Sequence, residues 1–224
     1  MHLYCRGILT LALALAAGLP AGAQLQASRT IIMIGPPGSG KTVQSEALRK
    51  KYKIPSISMT QLLRLELDRN SPMGQALAAS FESGELLGDG FANDLIMTRL
   101  LQPDVGKGFI LDGYPATEDQ AKTLDQWLSE HKLPSPAVVI LNVPEAVSRE
   151  RLTRRKRAND KPDNIERRLR DYQEVGRLVE QWYGTGRIVR VDGTGTPAEV
   201  TLRITEGIDD LKPAKSFKVR TTPE

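Results

Sequence analysis

Thr30-Ile-Ile-Met-Ile-Gly-Pro-Pro-Gly-Ser-Gly-Lys-Thr42 is the stretch that decides the fold. It begins with the apolar run 31–34, which has the length and composition of a buried strand, and a helical pattern follows Thr42. Between the two, Gly35, Gly40 and the Lys-Thr pair fit the spacing G-x-x-x-x-G-K-[ST] in the strand–loop–helix context that a P-loop requires.

The chemistry of phosphate binding explains these residue types. Glycines let consecutive backbone N–H groups converge on phosphate oxygens, and the helix N-terminus adds a favourable partial charge. The motif places Lys41 at the β- and γ-phosphates and the Thr42 hydroxyl at Mg²⁺. A glycine-rich turn that merely precedes a helix is the alternative, and the combination of strand, spacing, Lys and Thr disfavours it. The sequence therefore predicts a nucleotide phosphate site.

Short apolar segments alternate with helical patterns along the rest of the chain. Predicted strands lie at 55–58, 107–112, 137–141 and 187–191, and predicted helices lie at 59–68, 71–81, 86–101, 117–128, 165–182 and 197–211. This alternation predicts an α/β fold in three layers, with a parallel five-stranded sheet covered by helices on both faces. Ligands bind such sheets at the carboxyl ends of the strands, where Asp112 also lies, so we expect Asp112 to hold Mg²⁺ together with Thr42.

The two ends of the chain differ from this pattern. Residues 1–23 contain Arg6 as their one charged side chain, the apolar run 8–19 and the small residues of Ala21-Gly-Ala23, which is typical of a signal peptide cut after Ala23. The apolar run is shorter than the roughly 20 residues of a membrane span, so we expect export to the periplasm or the exterior without stable membrane association. If the segment is not a functional signal, the chain is cytoplasmic. We expect residues 29–212 to form one domain and 213–224 a flexible tail.

A basic segment follows the fourth predicted strand. Between Arg151 and Arg170 there are nine Lys or Arg residues against three acids, and Arg151 and Arg155 share one helix face at i, i+4 spacing. Guanidinium groups suit the neutralisation of phosphoryl oxygens, although a solvated basic face or a nucleic-acid contact has the same composition. The net charge of +4 is too mild to require nucleic acid. We therefore expect small nucleotides as partners and no nucleic acid. A monomer is the expected oligomeric state, although no feature of the sequence determines it.

These pieces together resemble the adenylate kinase family of nucleoside monophosphate kinases over roughly residues 30–211. The segments that carry the resemblance are Gly35-Pro-Pro-Gly-Ser-Gly-Lys41, Gly108-Phe-Ile-Leu-Asp-Gly-Tyr-Pro115 with Gln120-Ala121, and Arg168-Leu169 followed by Tyr172. The resemblance implies a parallel-sheet core, a helical arm at about 58–87 that binds the monophosphate, and a lid at about 155–164 of the short form that lacks a zinc-binding insertion. It also implies reversible, Mg²⁺-dependent transfer of the ATP γ-phosphoryl group to AMP.

The resemblance assigns a role to each matching position. On the ATP side it implies Gly38, Ser39, Gly40, Lys41, Thr42, Val43 and Arg155. On the monophosphate side it implies Arg64, Glu85, Leu86, Leu87, Gly113, Gln120 and Arg168, with Arg64 on the phosphate and Gln120 on the base. The implied catalytic residues are Lys41, Arg151, Arg155 and Arg168, and the implied metal ligands are Thr42 and Asp112.

Several positions depart from the family pattern. Ala116 stands where the family has a phosphate-binding arginine, and Met59 stands where it has a threonine near the base. Segment 159–164 lacks an arginine and an aspartate of the lid signature. Arg157 or Lys161 is a partial substitute for the charged phosphate contact that the monophosphate side has lost, although a lysine does not reproduce the arginine fork. An AMP kinase is the leading hypothesis. The alternatives are a kinase of the same fold with another acceptor, a nucleotide-binding module without appreciable turnover, and a nucleic-acid binder.

Overall fold

The computed structural model describes residues 29–69, 74–75, 78, 88–155, 157 and 160–212. The predicted signal peptide, the predicted tail at 213–224 and the predicted helix at 71–81, apart from residues 74, 75 and 78, lie outside the described residues. The same is true of most of the implied arm beyond residue 69 and of residues 156, 158 and 159 in the implied lid.

Five parallel strands form one sheet, as the sequence predicts. Their order in the sheet is β2-β3-β1-β4-β5. The strands are β1 (Arg29–Ile34), β2 (Ser56–Ser58), β3 (Gly108–Asp112), β4 (Ala137–Asn142) and β5 (Ile188–Asp192). Met33 pairs with Asp112 in the register between β1 and β3. The loop that follows β1 and the acid that ends β3 therefore meet at the same edge of the sheet.

The described residues contain seven α-helices, none of them long and apolar enough to cross a membrane. They are α1 (Lys41–Tyr52), α2 (Met59–Asp68), α3 (Asp89–Leu100), α4 (Glu118–Glu130), α5 (Glu145–Arg155), α6 (Pro162–Tyr183) and α7 (Pro197–Asp209). The predicted starts of two helices were wrong: α3 begins at Asp89 and not at 86, and α6 begins at Pro162 and not at 165. Gly88 is extended and precedes α3, and Pro162 supplies the first residue of α6, where a missing N–H costs nothing.

Side chains that alternate along the strands divide the core into two layers. On one face, Ile32 and Ile34 of β1 pack with buried residues of α3, α4 and α6. On the other face, Ile31 and Met33 pack with buried residues of α1 and α7. This two-sided burial explains why the strands have continuous apolar sequences, and it produces the three-layer architecture.

A separate small cluster joins α5 to α6. Leu152 of α5 packs on Ile165 and Leu169 of α6, and all three side chains are buried. Arg151 precedes Leu152, Arg155 lies about one helical turn after it, and Arg168 precedes Leu169. This apolar contact therefore brings the arginines of the two helices close to one another.

Candidate functional site

The loop between β1 and α1 has the backbone shape of a phosphate cradle. Gly38 and Gly40 have φ angles of +82° and +96°, which side chains with a Cβ rarely adopt. A Cβ on Gly38 would also lie 2.8 Å from the backbone oxygen of Ser148, so glycine is required there for close packing as well. Helix α1 starts immediately afterwards at Lys41, which directs its first N–H groups towards the loop.

Lys41 points back along the loop that it ends. Its Nζ donates hydrogen bonds to the backbone oxygens of Gly35, at 2.7 Å, and Pro36, at 3.0 Å. Burial lowers the pKa of Lys41, Asp112 acts in the opposite direction, and the positive charges of Arg168 and Arg155 lower it further. The ammonium group thus lies near both an acid and the basic cluster, where an added phosphate would relieve the repulsion between cations.

Thr42 and Asp112 form the pair that the sequence predicts. The Thr42 hydroxyl donates a 2.8 Å hydrogen bond to Oδ2 of Asp112 across the end of the sheet. A hydroxyl and a carboxylate beside a phosphate loop fit Mg²⁺, which takes oxygen ligands and usually keeps waters and substrate phosphates as the others. In the described part of the chain, no group of three or more His, Cys, Asp or Glu side chains could hold a metal ion.

The predicted catalytic side chains line one cavity of about 700 Å³. Its lining includes Gly38, Ser39, Gly40, Lys41, Thr42, Val43, Arg64, Asp112, Gly113, Ala116, Arg151, Arg155 and Arg168. The volume is in the range of small-ligand sites. The structure therefore brings together the P-loop, the acid at the end of β3, Arg64 of α2 and the arginines of α5 and α6.

Arg151 makes different contacts from Arg155, although both belong to α5 as predicted. The Arg151 guanidinium lies 3.3–3.5 Å from the backbone oxygens of Gly38, Ser39 and Gly193. These long contacts connect the P-loop to the segment that follows β5. Arg151 consequently braces the loop in addition to lining the cavity.

Arg157 lines the cavity and Asp160 pairs with two of the arginines that line it, although the sequence analysis gave neither residue a primary role. Arg157 lines the cavity, and burial lowers its pKa, with smaller contributions of the same sign from Arg155 and Arg64. Asp160 forms ion pairs with Arg155, at 2.6 Å, and Arg168, at 3.3 Å, and its side chain is 0% exposed. The only signal in the sequence is an acid within a basic run, which is equally common on solvated surfaces.

Gln120 does not line the cavity in the described structure. Its side chain is buried, Oε1 accepts a hydrogen bond from the Ala116 N–H at 2.7 Å, and Nε2 donates one to Asp89 at 2.9 Å. The partners fix the orientation of the amide, because a backbone N–H requires the oxygen and a carboxylate requires the nitrogen. Glu85, Leu86 and Leu87, which the resemblance places at the base, lie outside the described residues.

Comparison with known proteins agrees with this geometry. A family model described as "Adenylate kinase" matches residues 33–187. An adenylate kinase of Sinorhizobium medicae (strain WSM419) is 37% identical over 185 residues, which cover 78% of this chain and 96% of the relative. Adenylate kinases of Stenotrophomonas maltophilia (strain K279a) and Xanthomonas euvesicatoria pv. vesicatoria (strain 85-10) are 37% and 38% identical over 183 residues, covering 80% of this chain and 98% of each relative.

Proposed function

Because the chain belongs to the adenylate kinase family, we propose that it transfers the γ-phosphoryl group of ATP to AMP, reversibly, to give two molecules of ADP. The observation that carries this proposal is the convergence of the P-loop, the Thr42–Asp112 pair and the arginines on one cavity. Phosphoryl transfer needs positioning and charge neutralisation rather than a nucleophilic side chain, and this cavity supplies both.

On the ATP side, we assign the phosphates to the backbone N–H groups of residues 38–43 and to Lys41. Lys41 exchanges its hydrogen bonds with the Gly35 and Pro36 oxygens for phosphate oxygens, at little net cost in hydrogen bonding. Thr42 and Asp112 would hold Mg²⁺, which would supply positive charge against the phosphates of the bound nucleotide.

On the acceptor side, Arg64 and Arg168 are the residues that we assign to the AMP phosphate, with Gly113 beside them. An oxygen of that phosphate attacks the γ-phosphorus, and the bond between this phosphorus and the β–γ bridging oxygen breaks. Arg155 and Arg168 stabilise the charge that spreads over the transferred phosphoryl oxygens. The electron pair of the broken bond stays on the β-phosphate, so the leaving group is ADP.

The acceptor is tested with the full chain, ATP and Mg²⁺ in a coupled assay for ADP that compares AMP, GMP, CMP and UMP. We expect AMP to have the highest kcat/KM. A kinase with another acceptor is the second candidate, because Ala116 removes one positive charge and Gln120 is turned away from the cavity. Turnover with a different monophosphate and none with AMP would favour that candidate.

Replacing Ala116 with arginine tests how the acceptor phosphate is held. Ala116 is half-buried and lines the cavity, so Ala116→Arg places a guanidinium where the family has one. A hydrogen bond to a charged group contributes about 1.5–3 kcal/mol, so we expect kcat/KM for AMP to rise about 10–100-fold. Ala116→Gln, which adds length without charge, is the matched control. An unchanged kcat/KM in the arginine variant would mean that the other arginines already saturate the phosphate.

We also propose that residues 1–23 direct export and are removed, which leaves a monomeric enzyme without stable membrane association. The support is the charge and apolar pattern of the segment. Expression of the full chain in a bacterial host, followed by fractionation and mass measurement, is expected to give a periplasmic or secreted chain that begins at Gln24. A full-length chain retained in the cytoplasm would contradict the proposal.

A further inference from the structure

The cavity has two ends, which lie on opposite sides of the P-loop. Strand β1, which leads into this loop, is central in the sheet order β2-β3-β1-β4-β5. On the side of β2 and β3 the lining includes Arg64, Gly113 and Ala116, where the proposed function places the acceptor. On the side of β5 it includes Gly193, Gly195, Pro197 and Val200, which belong to the β5–α7 loop (residues 193–196) and the first turn of α7. With the ATP phosphates on the P-loop, the end beside β5 is left for the base of ATP.

Two arginines bind successive backbone oxygens at the start of the β5–α7 loop. Arg203 of α7 donates through Nη1 to the oxygens of Asp192, at 3.0 Å, and Thr194, at 2.9 Å. Arg151 of α5 approaches the oxygen between these two, that of Gly193, at 3.3 Å. The backbone at this end of the cavity is therefore held by side chains from two different helices.

Local hydrogen bonds fix the side chains of the loop and leave one peptide unit over. Oδ1 of Asp192 accepts from the N–H and the hydroxyl of Thr194, and Thr196 and Glu199 form a capping box at the start of α7. Gly195 has a φ angle of +94°, and a Cβ there would lie 2.6 Å from Oε2 of Glu199. The N–H and C=O of Gly195 make no hydrogen bond to another described residue. They remain available to a ligand in the cavity that Gly195 lines.

The conformation of this loop depends on its contacts more than on its own sequence. Glycine accepts many backbone angles, so the glycines at 193 and 195 supply little intrinsic preference for the observed shape. Arg203 is exposed and lies outside the cavity lining, so the carbonyls that it binds can turn to water if it is removed. The expected cost of losing Arg203 is therefore a loss of order in the loop, with little change in the stability of the fold.

We infer that Arg203 is a positioning residue for the donor nucleotide, which fixes the β5–α7 loop in the conformation that receives the base of ATP. Ordering the loop before ATP binds reduces the conformational cost that binding has to offset. Because Arg203 does not line the cavity, this effect reaches the base through the loop backbone. The inference rests on the proposed kinase function, which places the acceptor at the opposite end of the cavity.

Arg203→Met tests the inference, because it keeps the apolar stem and removes both hydrogen bonds to the loop. Binding of ATP and of tripolyphosphate, which has the phosphates without a base, is measured by calorimetry on the full chain. We expect the Kd for ATP to rise about 3–10-fold and the Kd for tripolyphosphate to change less than about twofold, since the P-loop is untouched. In the ADP assay the KM for ATP should rise with kcat nearly unchanged.

Two further variants separate positioning from the loss of a positive charge. Arg203→Lys keeps the charge and a donor for the carbonyls, and is expected to recover most of the ATP affinity. Arg177→Met removes an equal charge from an exposed arginine whose Nε donates to an oxygen of its own helix, and is expected to bind both ligands as the wild type does. Thermal unfolding checks that each variant is folded, and Arg203→Gln carries the same comparison if Arg203→Met is not.

The inference would be overturned by an equal loss of affinity for ATP and tripolyphosphate, which would indicate a general electrostatic effect, or by wild-type ATP affinity in Arg203→Met. A wild-type chain that binds ATP but forms no ADP with any monophosphate would instead overturn the proposed function. The two failures are distinguishable because the first is measured by binding and the second by turnover.

Discussion

Lys41→Met is expected to lower kcat for ADP formation on the order of 100–1,000-fold, because it removes a preorganised cation from the position where charge develops. In the structure the Nζ of Lys41 makes two hydrogen bonds to backbone oxygens of its own loop, which places it at the floor of the phosphate cradle. Methionine keeps the length and apolar stem of the side chain. The measurement is a steady-state assay with ATP, AMP and Mg²⁺.

The loss of activity in Lys41→Met is not expected to be accompanied by a loss of stability. Burial already lowers the pKa of Lys41, which means that the protein holds its charged form at a cost. Removing that charge is expected to leave the melting temperature unchanged or to raise it. Lys50→Met, on the same helix with a side chain 70% exposed, is the control and should retain full activity. A Lys41→Met enzyme with wild-type kcat would contradict the assigned role.

Asp112→Asn is expected to lower kcat about 100-fold and to raise the Mg²⁺ concentration needed for half-maximal activity. Asparagine can still accept the hydrogen bond that Thr42 donates to Oδ2, so the loop and the sheet edge should keep their structure. What it removes is the negative charge that attracts a hard cation, and with it about 2.7 kcal/mol of charge stabilisation in the transition state, which corresponds to the expected 100-fold loss.

A titration of activity against Mg²⁺ separates this effect from a general loss of activity. We expect the variant to recover part of its rate at high Mg²⁺, whereas the wild type is saturated at lower concentrations. Asp94→Asn, an exposed acid on α3, is the control. An Asp112→Asn enzyme with an unchanged Mg²⁺ requirement would show that the cation is held elsewhere.

Local sequence signals predicted the fold, and they predicted the P-loop as one segment, because the decisive residues are neighbours in the chain. The P-loop is one segment, and its strand is continuous in apolar residues since both faces of the sheet are covered. Asp112 was predicted because a parallel sheet places the ends of its strands at one edge. The first residues of α3 and α6 were predicted less well, because the start of a helix depends on the backbone conformation of one or two residues.

The remainder of the site depends on pairings that no local pattern encodes. The ion pair of Asp160 with Arg168 was not predicted, because Arg168 reaches the acid from another helix. Gln120 was expected to read a base, yet its amide is held by Asp89, which lies 31 residues earlier in the chain. Such contacts follow from how α3, α4, α5 and α6 pack on the sheet, and that packing becomes visible only in three dimensions.

The most direct test of the central claim follows the phosphoryl group itself. The full chain is incubated with Mg²⁺, AMP and ATP labelled at the γ-phosphate, and the products are separated. The account predicts that the label appears in the β-phosphate of ADP made from AMP, and that Lys41→Met slows this transfer on the order of 100–1,000-fold. The account would be contradicted if the label were recovered only in inorganic phosphate, or if it remained in ATP.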